Sequence, residues 1–94
     1  METISTPGGR EFAEFDLKHY LDGGILRETP FREAMESVAW SDFDGHDVLV
    51  RACHTAPLPP WAFMLVASRL VIYASSVWYG EPGDPVPVFE RENG

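Results

Sequence analysis

The stretch 61–73, WAFMLVASRLVIY, limits what this chain can fold into more than any other. It follows Pro57-Leu58-Pro59-Pro60, a run that cannot be helix interior or central strand. Pro60 suits the first position of a helix, where a missing N–H costs nothing. Eleven of the thirteen residues that follow are apolar; only Ser68 and Arg69 are not. A sheet covers a stripe of about 100° on a helix packed against it, and the rest is normally wet. A helix apolar nearly all round is therefore expected to be sheltered on several sides, and a chain of 94 residues has little material for that. The simpler expectation is a second copy over the outer face in a two-fold dimer, with Trp61, Phe63, Met64, Leu65, Leu70 and Tyr73 in the contact. The alternative is internal cover from a second helix and the N-terminal segment.

The flanks of this helix read as strands. Residues 48–52 (VLVRA) are β-branched and aliphatic, follow a turn and carry one charge, Arg51, as a central strand covered on both faces does. Residues 77–79 (VWY) follow the Ser75-Ser76 turn. A strand–helix–strand unit of this length is expected to be parallel and right-handed. The expected fold class is α/β: a small mixed sheet around that unit, with two further helices.

The remaining elements are shorter. Residues 1–9 end in Pro7-Gly8-Gly9 and are expected to form a disordered arm, the domain spanning 10–91 and the tail 92–94 fraying. Residues 10–15 suggest a short edge strand, although Phe12 and Phe15 are spaced wrongly for one strand face. Asp16 is a plausible N-cap for a short helix over 17–21. Thr29 followed by Pro30 predicts a second helix to about Ala39, with Phe31, Ala34, Met35, Val38 and Ala39 on its buried face, an Arg32–Glu36 pair on its wet face, and Trp40 closing its end. Residues 80–87 (GEPGDPVP) read as a rigid loop before a last short strand at Val88-Phe89.

Composition narrows the function classes. A formal net charge of −8 argues against DNA, RNA or an anionic membrane surface as partner. One cysteine makes no internal disulfide and suits a reducing compartment. Neither a signal peptide nor a run long enough to span a bilayer is visible, so the cytoplasm is expected. Asp42, Asp44 and Asp47 do not make a calcium loop: the glycine comes too early, and Cys53 stands where a bidentate glutamate is needed.

No complete catalytic, metal-binding or nucleotide-binding signature is present. In parallel α/β units ligands favour the carboxyl ends of the strands. Cys53 and His54 follow the first strand, Glu81 the second, and Asp84 comes soon after. If the strands are neighbours, these four converge. They could serve a thiol nucleophile with His54 or Glu81 as base, or a zinc site of Cys53, His54, Glu81 and Asp84. The bland alternative is a buried Cys53 and a loop His54 bonded to backbone. His19 and His46 read as surface residues. No cofactor is expected beyond that zinc possibility.

Residues 15–35, the Trp40 segment, CHTAPLPPWAFMLVASRL (53–70) and YGEPGDPVPVF (79–89) resemble a bacterial family of domains of unknown function, DUF2480. The likeness covers about 10–91, and Pro59-Pro60-Trp61-Ala62-Phe63-Met64-Leu65 is its most specific part. It implies no activity, substrate or catalytic residue. It implies relatives about twice this length with two related halves, each with a cysteine-bearing strand end. This chain resembles the first half joined to the tail of the second, which implies a single-unit version whose homodimer stands in for the two-half form. The family tail carries a cysteine after Gly-Glu-Pro where this chain has Gly83, which weakens a shared two-thiol or metal site. The leading expectation is a non-enzymatic homodimeric binding or assembly module. A metal- or thiol-dependent enzyme using Cys53, His54 and Glu81 is the alternative.

Overall fold

The computed structural model describes residues 3–51 and 58–92. A five-stranded mixed sheet in the order β1-β2-β3-β4-β5 organises it, formed by Thr3–Ser5, Glu11–Asp16, Asp47–Arg51, Ser76–Glu81 and Asp84–Glu90. The inner pairs β2–β3 and β3–β4 are parallel, and the outer pairs β1–β2 and β4–β5 are antiparallel. Helix α1 (Glu28–Ser37) lies between β2 and β3 in the chain, and α2 (Pro60–Leu70) between β3 and β4. The fold is α/β, as the strand–helix–strand pattern implied.

Both helices pack on one face of the sheet. Phe31 and Met35 of α1 and Ala62, Val66 and Leu70 of α2 share a single core with Ala13, Phe15, Val48, Val50 and Val77. Every second strand residue faces them, as the two-residue period of a strand requires. β3 is buried through Val48, Leu49 and Val50, which fits a central strand.

The spacing of Phe12 and Phe15 is explained by this arrangement. Three residues apart on a strand, they point to opposite faces, and both faces are closed. Phe15 enters the helix-side core, stacked on Tyr20 and Trp40 at 5.7 and 5.4 Å between ring centres. Phe12 lies on the reverse face, edge-on to Trp78 at 5.5 Å. β2 is therefore an inner strand, not the expected edge. The edge is β1, formed by residues expected to fray. Gly9, at φ 85°, closes the turn that lets Thr3–Ser5 fold back along β2.

Three further details depart from the pattern. The short helix after β2 is a single 3-10 turn, Leu17–Tyr20, although Asp16 caps it by accepting from the Lys18 amide at 2.9 Å. α1 starts one residue before Thr29, placing Pro30 third in its first turn, where its missing N–H still costs nothing. Arg32 pairs back to Glu28 at 3.0 Å rather than forward to Glu36. Trp40 closes the end of α1 by donating its indole N–H to the Met35 carbonyl at 2.9 Å.

The segment read as a rigid loop is a hairpin arm. Glu81 pairs with Asp84 across Pro82-Gly83, and β5 runs back along β4 opposite Gly80, Tyr79 and Trp78. Pro85 and Pro87 lie within it. An edge strand tolerates proline wherever the nitrogen faces away from its neighbour. Arg91 then ties the strand's end to α2, donating to the Val71 and Ala74 carbonyls just past the helix.

The helix α2 is sheltered mainly by its own chain. Ala62, Val66 and Leu70 are fully buried. Trp61 meets Phe31 edge-on at 5.7 Å, and Phe63 meets Tyr79 at 4.9 Å. Met64, at 71% exposed, is left outside on the helix, and Ile72, at 63%, follows in the turn beyond it. Removing a buried leucine costs about 2–5 kcal/mol, whereas an exposed side chain changes stability by about 0.5 kcal/mol or less. Urea unfolding should therefore show a large loss for Leu70→Ala and almost none for Ile72→Ala. Equal losses would mean that α2 is turned differently on the sheet.

Candidate functional site

The three parallel strands end together, and their carboxyl ends bring charged groups into one place. Asp16 closes β2, Arg51 closes β3 and Glu81 closes β4. Arg51 is the hub. Its Nη2 donates to Glu81 Oε2 at 2.7 Å and its Nη1 to Glu14 Oε2 at 3.3 Å. The hydrogen bond that Arg51 donates to Glu81 leads in raising the Arg51 pKa above its ordinary value, burial opposing it, so the guanidinium stays charged. Its Nε is buried with no hydrogen-bond partner among the described residues. Beside this hub, Glu14, Asp16 and His19 hold donor atoms within 4.8 Å of one another. Asp16 is buried and spends its oxygens on the Lys18 amide and, at 3.7 Å, the Lys18 ammonium.

Of the four residues nominated for chemistry, Glu81 falls in this cluster. Asp84 opens β5 across the hairpin turn from it and is exposed. Cys53 and His54 lie outside the described residues, so neither thiol nor zinc chemistry is placed by the structure. His46 is exposed in the turn before β3. His19, read as a surface group, is exposed but stands beside two carboxylates. Glu14, Asp16 and Arg51 were missed as a group because their meeting depends on β2 lying next to β3. The one local signal was Arg51, a lone charge in an otherwise apolar strand.

A second feature is apolar. A groove of about 220 Å³ runs between α2 and the β4–β5 hairpin, lined by Val50, Phe63, Met64, Ala67, Val77, Trp78, Tyr79 and Val88. None of these described residues is charged. Its margin is unusually bare: Met64 is 71% exposed, Val88 57%, Val86 50% and Tyr79 38%. Of the expected contact residues, Phe63 and Met64 line it. Trp61 and Leu65 are half-buried against the core, and Tyr73 is half-buried in the turn after α2. Leu70 is wholly inside the chain's own core and offers no surface for a contact.

A protein-family model matches residues 2–84, most of the chain. The chain belongs to the DUF2480 family. That family is described as proteins of unknown function, so it supplies no reaction and no ligand for this cluster or this groove. Comparisons with curated proteins and with solved structures found no match. No helix among the described residues of this DUF2480 member is long and apolar enough to cross a membrane.

Two measurements probe the strand-end region. Replacing Arg51 by Met leaves Glu14 nearly buried and without its cation, which should cost about 1–3 kcal/mol in urea unfolding. A loss near zero would mean the network is not formed in solution. Burial raises the Tyr20 pKa above its ordinary value of 10.0. The neutral phenol is therefore favoured in the folded state, so its contribution is complete below the unfolded pKa and is lost as pH rises through the folded one. An ultraviolet titration should show one late-ionising tyrosine that disappears in Tyr20→Phe. Stability should fall more steeply on the alkaline side in the parent than in that variant.

Proposed function

We propose that the chain is a non-enzymatic binding and assembly module of the bacterial cytoplasm that works as a homodimer. In this reading the second copy is seated on the groove between α2 and the β4–β5 hairpin. The observation that supports it is the cluster of exposed apolar side chains, Met64, Tyr79, Val86 and Val88, around a groove with no charge among its described lining. In a chain of net charge −8, such a charge-free apolar area is where burial gains most and ionic repulsion is least. Pro85 and Pro87 on the neighbouring edge strand disfavour sheet extension, so the contact would be made by side chains rather than by strand pairing.

Light scattering coupled to size exclusion at tens of micromolar should give a mass of two chains, and a single-chain mass would overturn the proposal. Met64→Glu should weaken self-association at least tenfold, about 1.4 kcal/mol, while leaving the urea midpoint nearly unchanged at dilutions where the parent is itself a single chain, because the side chain is exposed there. Like net charges on the two copies repel, so raising salt from low to moderate concentration should tighten the dimer. A dimer that loosens with salt would be held by ion pairs instead and would not use this groove.

A further inference from the structure

We draw no further inference here: the strongest candidate, the Glu14–Asp16–His19 donor cluster at the carboxyl end of β2, is an acidic cluster whose carboxylates are already bonded to Arg51 and to Lys18, and no second observation among the described residues points to a ligand for it.

Discussion

Strands that run parallel cannot be joined by a tight turn, and that requirement organises this molecule. β2, β3 and β4 are parallel neighbours, so the chain must travel back along the sheet twice. Both returns carry a helix, and both helices bury their apolar stripe in the same core. A layer of helix therefore covers one face only. One outer strand can be short and the other irregular because they are antiparallel additions to a unit already closed. β1 needs three residues, and β5 accommodates two prolines.

The face without helices is closed in another way. Phe12 and Leu49 are fully buried there, under a thin layer of aromatic and charged side chains. Leu49 pairs with Glu14 on one side and Trp78 on the other. The Arg10 guanidinium lies 4.5 Å from the centre of the Trp78 ring and 5.4 Å from that of Phe12. A planar cation over an aromatic face covers apolar surface while keeping contact with water. The same guanidinium reaches Asp47 at 3.3 Å, Asp47 accepts from the Ser76 hydroxyl at 2.6 Å, and Ser76 accepts from the Trp78 indole at 2.9 Å. β3 is thus bracketed by polar clamps: Asp47 at its start binds β4 and the entry to β2, and Arg51 at its end binds both neighbours. A slip of one residue would turn every side chain of a strand to the wrong face, and these clamps add to the hydrophobic pattern in opposing it.

Much of the architecture was legible because it is local. The proline run announced α2, the aliphatic run announced β3, and an aspartate before Leu17 announced the cap it makes. Trp40 was expected at the end of α1, and its indole bond to the Met35 carbonyl is the means. Errors came where local signals compete with partners distant in sequence. Proline argues against a strand in isolation, but not at an edge whose neighbour asks nothing of its nitrogen. Residues ending in Pro-Gly-Gly look loose until β2 offers a ladder to fold against. The strand-end cluster was half visible, since Glu81 was nominated and Glu14 was not.

The sequence by itself determined which segments are helix and which are strand along the central unit, and that this unit is α/β. Those choices rest on periodicity, on proline and glycine, and on caps, all carried within a few residues. Only the tertiary structure decided how much of α2 the chain itself shelters. The run of apolar residues suggested a helix starved of cover, yet Phe31, Tyr79 and the sheet supply most of it and leave Met64 outside. Composition records how apolar a surface is. Which neighbours reach it depends on strand order and crossover, and those are set by packing between residues far apart in the chain.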